Sequence, residues 1–276
     1  MINLALAILS SMAISVLMRL SSRHTSNSLT VLAANYMMCT AAAAFLTGWP
    51  LFPSGDGTVL TLSIGTATGV LYLLGFVLLR WNISRNGLVL PATFQKLGVI
   101  VPTLAAVLLF GETPRVLQLI GVVVAIAAIL IMQERGESNA GSMGGLVLLL
   151  LAGGCSDVMS KVFEQYGNAA QENHFLLSIF VVALVLCIIL CIVKKQGVTL
   201  PDVLYGFAIG IPNYMSARFL LRALMQVPAV VVYPTFSVGT IVLVTLVGVV
   251  FFHERLDRRK LLALGMILVS LVLLNV

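Results

Sequence analysis

Ten apolar stretches joined by short connections, near residues 2–20, 29–47, 58–79, 87–110, 115–133, 143–163, 174–193, 200–222, 228–252 and 259–275, account for nearly the whole chain. Each is long enough to cross a hydrocarbon core about 30 Å thick, which takes roughly 20 helical residues. In such a core every backbone N–H and C=O must be satisfied within the protein, and uniformly apolar stretches of this length achieve that as α-helices. A soluble fold would need about a quarter of its residues charged. Here 9% are charged and 60% hydrophobic, with a mean hydropathy of +1.09. The expected class is an all-α membrane protein of ten transmembrane helices, with no room for a soluble domain.

The stretch from Leu79 to Glu112 occurs again from Leu221 to Glu254. A spacing of 142 relates Tyr72 to Tyr214, Arg80 to Arg222, Thr93 to Thr235, Phe94 to Phe236, Phe110 to Phe252 and Glu112 to Glu254. Val16 with Val158 and Arg19 with Lys161 extend it to the first helix of each half. After Glu112 the copies slip by two residues, ETPRVLQLIG facing ERLDRRKLLALG. Each half holds five helices, an odd number, so the halves insert in opposite senses. The expected architecture is two inverted five-helix repeats, residues 1–135 and 143–276, joined by a linker at 136–142. Gly65/Gly69, Gly206/Gly210 and Ala41 to Ala44 are read as close-packing helix faces. Asn82 to Gly87 reads as a polar break.

The net charge of +6 and pI near 9.4 do not indicate nucleic acid, because the cations sit at helix ends rather than along a stripe. Eleven of the sixteen Lys and Arg fall in the odd-numbered connections and four (Arg115, Lys161, Arg218, Arg222) in the even ones, with Lys96 inside a helix. That distribution places both termini outside the cytoplasm. Cys39, Cys155, Cys187 and Cys191 lie in apolar segments without CxxC or Cys/His metal spacing. The first apolar stretch lacks a basic n-region and is read as a membrane helix rather than a signal peptide. His24, His174 and His253 lie near helix ends, and no catalytic or phosphate-cradling motif accompanies them. No enzymatic activity, metal or cofactor is expected.

The segment TFQKLGVIVPTLAAVLLFGET followed by LIGVVVAIAAILIM resembles the EamA-type half of the drug/metabolite transporter superfamily. The second copy, YPTFSVGTIVLVTLVGVVFFHERLD followed by LLALGMILVSLVLLNV, is also similar to the last two helices of small multidrug resistance proteins. The resemblance implies a ten-helix alternating-access transporter with a central cavity lined by the first, third, fourth, sixth, eighth and ninth helices. It also implies both termini in the cytoplasm, against the charge distribution. Where small multidrug resistance proteins carry a proton-exchanging glutamate in the first helix, this chain has Ser11, and Gly153 in its second half.

An ionisable group inside a bilayer costs roughly 2.5 to 3.5 kcal/mol by insertion scales and so needs a partner or a role. Lys96 lies near mid-helix, opposite Val238 in the other half. It is either an anchor for a carboxylate or phosphate of a substrate or one member of a structural pair. Asp157, opposite Ser15, is its candidate partner; a local pair with Lys161, one turn on, is the alternative, and titration coupled to transport another. In the eighth helix Asn213, Tyr214 and Arg218 follow Pro212, which frees a carbonyl for a polar ligand; Asn213 and Tyr214 are read as cavity residues, and Arg218, like Arg222, equally as a residue of the membrane boundary. Gln95, Asn35 and Tyr36 are weaker candidates, equally explained by interhelical hydrogen bonds. Tyr233 is read as a stacking partner for substrate or as packing. Glu112 and Glu254 are read as hydrated structural residues at helix ends.

Together these point to a secondary transporter of the bacterial cytoplasmic membrane, moving a small polar metabolite that is amino-acid-like, anionic or zwitterionic. Efflux of lipophilic or quaternary cations is the alternative. A membrane-embedded enzyme or a scaffold fits less well. The partners expected are the solute and membrane lipid, with proton coupling admitted, as a monomer or homodimer.

Overall fold

The computed structural model describes residues 1–22, 24–52, 55–86, 89–132, 143–253 and 258–275. The described residues form α-helices and one 3-10 turn. In order the helices are α1 (Ile2–Ser21), α2 (Ser28–Thr47), α3 (Thr58–Asn86), α4 (Val89–Leu97), α5 (Ile100–Leu108), α6 (Val116–Met132), α7 (Met143–Tyr166), α8 (Glu172–Val193), α9 (Leu200–Leu224), α10 (Ala229–Phe252) and α11 (Arg258–Asn275). Every expected apolar stretch is helical, with two corrections. The fourth stretch is two helices, for reasons given below. The break expected at Asn82 is instead the last turns of α3: Asn82, fully buried, donates to Leu78 O and Gly145 O, both at 2.9 Å, so its amide is served without ending the helix. Among the described residues six helices are long and apolar enough to cross a membrane, and the chain is an integral multi-pass membrane protein. Linker residues 136–142 and Glu254 lie outside the described residues.

The chain forms two compact units, each drawn from both sequence halves. One comprises Met1, Leu74–Lys161 and Ala223–Val276; the other comprises Ile2–Leu73 and Val162–Arg222. In the first unit α6 packs on α11, where Ser270 Oγ donates to Gly121 O at 2.9 Å and a methyl group at position 121 would come 3.0 Å from Leu274. Where α5 and α10 end, Gly111 and His253, which are 142 apart, both take the left-handed conformation, with φ of 66° and 52°.

In the second unit α2 and α8 run antiparallel. Leu29 O lies beside Cys187 Sγ (3.8 Å), Tyr36 beside Phe180, and Leu46 O beside Asn173 Nδ2 (3.0 Å). The glycine faces do pack closely, and they do so reciprocally. A methyl group at Gly206 would meet Val31 O at 2.6 Å and one at Gly210 would meet Asn35 O at 2.7 Å, placing α9 on α2. One at Gly65 would meet Phe175 O at 3.2 Å and one at Gly69 would meet Ile179 O at 2.6 Å, placing α3 on α8. The helix starts repeat the exchange: Asn27 Nδ2 donates to Gly197 O at 2.9 Å, and Gln171 Nε2 to Asp56 O at 3.4 Å. Asp202 accepts from Ser26 N and Asn27 N, and Thr61 Oγ1 donates to Gln171 Oε1 at 2.6 Å.

Matching these contacts relates α2 to α8 by 144 residues (Val31 to Phe175) and α3 to α9 by 141 (Gly65 to Gly206). The sequence spacing of 142 therefore drifts between helices. Within α3 and α9 it shifts as well, because Tyr72 and Tyr214, on the same two helices as Gly65 and Gly206, stand 142 apart.

Candidate functional site

Lys96 stands at the end of α4, and Pro102 is what ends it. Proline has no N–H to donate and its ring crowds the carbonyl four residues back. Here that residue is Gly98, itself a poor helix former. Val101 N–H therefore donates to Gly98 O at 3.0 Å, Val99 N–H to Lys96 O at 3.4 Å, and Gly98–Val99 form a turn between α4 and α5. Pro212 and Pro234 lie inside continuous helices. The residues four before them, Ala208 and Val230, are better helix formers than glycine. The second copy places Val238, Thr240 and Val244 where the first has Lys96, Gly98 and Pro102, and α10 runs unbroken. The lysine and the break in its helix are thus features of one half alone.

The break rests on α7 backbone to backbone. A methyl group at Gly154 would lie 2.8 Å from Gly98 O, and one at Gly98 would lie 3.4 Å from Leu150 O. Because Gly98 is level with Leu150 and Gly154, and Val101 with Gly154, the two segments run in the same sense. Lys96 comes two residues before this crossing and Asp157 three after it, a separation along the axis of about 7 Å. Lys96 and Gln95 are exposed, and Asp157 is half-buried. Among the described residues no carboxylate lies within ion-pair distance of Lys96, and the Asp157 carboxylate has no hydrogen-bond or charge partner. The expected pairing of Asp157 with Lys96 does not form, because the crossing separates them.

Nor does Asp157 pair with Lys161. Lys161 Nζ instead meets Glu112 Oε1 at 3.0 Å and lies over the Phe110 ring. Gly111 turns the chain so that both Glu112 oxygens also accept from Ala229 N and Val230 N at 2.9 Å, at the start of α10. A carboxylate held by two N–H groups at a helix N-terminus is a better-satisfied partner for the buried ammonium than the carboxylate of half-buried Asp157, which receives no hydrogen bond from the described residues. Glu112 is structural as expected, but shielded rather than hydrated, with its side chain 13% exposed. Tyr233 is buried and its hydroxyl donates to the Asp157 backbone carbonyl.

Asn35, Tyr36, Asn213, Tyr214 and Arg218 belong to the other unit. Asn213 Nδ2 donates to Asn35 Oδ1 at 3.1 Å, and Cys39 Sγ lies 3.7 Å from the same oxygen, so the asparagines join α9 to α2. Tyr36, Tyr72 and Tyr214 surround the buried ring of Phe180, with centroids 6.5, 6.2 and 6.0 Å from it. Tyr214 is fully buried and its hydroxyl accepts from Arg218 Nη1 at 3.2 Å. Glu172, absent from the sequence-based candidates, sits 2.8 Å from Arg222 Nε and 3.9 Å from Arg218 Nε. No local periodicity signals a pair whose members stand fifty residues apart.

Against known proteins, the profile of the family described as Small Multidrug Resistance protein matches residues 174–267. A Haemophilus influenzae protein described as uncharacterized is 28% identical, over 93% of this chain and 91% of its own. A protein of known crystal structure shares the fold with a TM-score of 0.78 at 14% identity, covering 99% of this chain and 94% of that one. The family match, with the apolar helices, supports a membrane transporter resembling small multidrug resistance proteins.

Proposed function

We propose that the protein is a secondary transporter of the EamA-like ten-helix kind, built as two inverted repeats. It moves a small polar metabolite with an anionic or zwitterionic group across a bacterial cytoplasmic membrane by alternating access. The observation that carries this reading is Lys96: a cation within a membrane segment, exposed at a helix break, with no counter-charge among the described residues. A lone ammonium in that setting is stabilised when a solute carboxylate or phosphate arrives. Gln95 and Asp157, flanking the same crossing, offer neutral and acidic partners to the rest of a zwitterion. The inverted arrangement draws support from antiparallel α2 and α8 and from the reciprocal glycine contacts, since an exchange of i with j for j with i is the mark of a two-fold relation.

The likeness to small multidrug resistance proteins favours a second reading, cation efflux, in which the unpaired Asp157 would hold the cation. Lys96→Met and Asp157→Asn separate the two in proteoliposomes. Under the metabolite reading Lys96→Met abolishes uptake of a panel of radiolabelled amino acids and small carboxylic acids. Thermal stability changes little, because no ion pair is broken. A stable Lys96→Met protein with unchanged uptake, alongside loss of quaternary-cation export in Asp157→Asn, would select the second reading.

A further inference from the structure

In the unit that holds α9, a guanidinium is left short of partners. Arg218 lies one turn inward from Arg222 on α9, half-buried, with side-chain exposure of 13% against 38% for Arg222. Among the described residues its one hydrogen bond is Nη1 to the Tyr214 hydroxyl at 3.2 Å. Arginine carries five N–H donors in a fixed fork suited to two oxygens of one anion. The acid nearest to it, Glu172, stands 3.9 Å from Nε, beyond hydrogen-bond distance, and the same Oε1 is held at 2.8 Å by Arg222. Two cations therefore share one carboxylate, and the inner one keeps most of its fork free. Neither charge has a counterpart in the first half: the α3–α9 register puts Val77 opposite Arg218, and the α2–α8 register puts Ser28 opposite Glu172.

The geometry points to an oxyanion-binding site at Arg218 and Arg222 in which Glu172 is an internal competitor. An incoming carboxylate or phosphate takes the fork of Arg218 and then displaces Glu172 from Arg222. The site needs nothing from Lys96, and its readout is equilibrium binding rather than transport, so it stands or falls separately from the function proposed above. The oxyanion could belong to a free solute or to a phospholipid headgroup, and the chemistry of capture is the same.

The test is titration of the purified full-length protein in neutral detergent with sodium phosphate at constant ionic strength, following thermal stabilisation. Wild type should show a saturable response. Glu172→Gln removes the competitor and should lower the half-saturating phosphate concentration about tenfold, the equivalent of one charge-assisted hydrogen bond. Arg218→Gln leaves the shorter Arg222–Glu172 pair in place, so it should fold, yet it should lose the response. Repeating the titration with phosphatidylglycerol in the micelles assigns the source: competition with phosphate marks a headgroup, and none marks a soluble anion. A response unchanged in Arg218→Gln, or no gain in affinity for a folded Glu172→Gln, would overturn the proposal.

Discussion

At the residue scale, each ionisable side chain within the helices is decided by what else can reach it. Lys161 and Asp157 are one turn apart, and spacing alone predicts a pair. Glu112 wins Lys161 because it brings two backbone N–H groups of α10 to the same carboxylate. Such competitors come from distant parts of the chain, which is why the sequence does not reveal which of these charges meet. Breaking a shielded pair leaves one charge uncompensated, at a cost of about 3–5 kcal/mol. Glu112→Gln should therefore lower stability by about 3 kcal/mol, read as a fall in denaturant midpoint. Lys161→Met with Glu112→Gln should recover part of that loss, and strict additivity of the two changes would contradict the pairing.

At the element scale, apolarity alone placed the helices, since each stretch has one way to satisfy its backbone in lipid. The interior of the fourth stretch was not legible, because a proline within an apolar run reads alike at Pro102, Pro212 and Pro234. What distinguishes Pro102 is the glycine four residues before it and the close seat of Gly98 on Gly154. Pro102→Ala restores a donor facing the Gly98 carbonyl and should stabilise the helix, by up to about 3 kcal/mol. If the break presents Lys96 to the solute, transport should fall at the same time. A protein both more stable and equally active would detach the break from function. The glycine faces make a contrasting prediction. At Gly206 even a methyl group meets the Val31 carbonyl at 2.6 Å, so Gly206→Val should prevent stable folding in detergent, whereas Gly75, with open space around its Cβ position, should accept alanine.

At the scale of the whole molecule, the expectation of a duplication rests on residues such as Arg80 and Arg222 that recur at one spacing. The spacings of 144 and 141 residues were not legible, since they rest on which glycine meets which carbonyl of another helix, a contact that leaves no periodic trace. Candidate site residues divide by unit in a way no spacing reveals. Lys96, Gln95, Asp157 and Tyr233 fall in one, and Asn35, Tyr36, Asn213, Tyr214 and Arg218 in the other. Of these, Asn35, Tyr36, Tyr214 and Tyr233 are buried, the first three in contacts between helices and Tyr233 against the Asp157 carbonyl, while Lys96 and Gln95 remain exposed. The functional reading therefore turns on Lys96 and on the charge of the solute it meets. Uptake of radiolabelled amino acids and small carboxylic acids into proteoliposomes, each competed by its own unlabelled acid and by the matching carboxamide, measures this directly. The account predicts at least one saturable solute that its acid displaces and its carboxamide does not. Equal competition by the carboxamide, or uptake confined to quaternary cations, would contradict it.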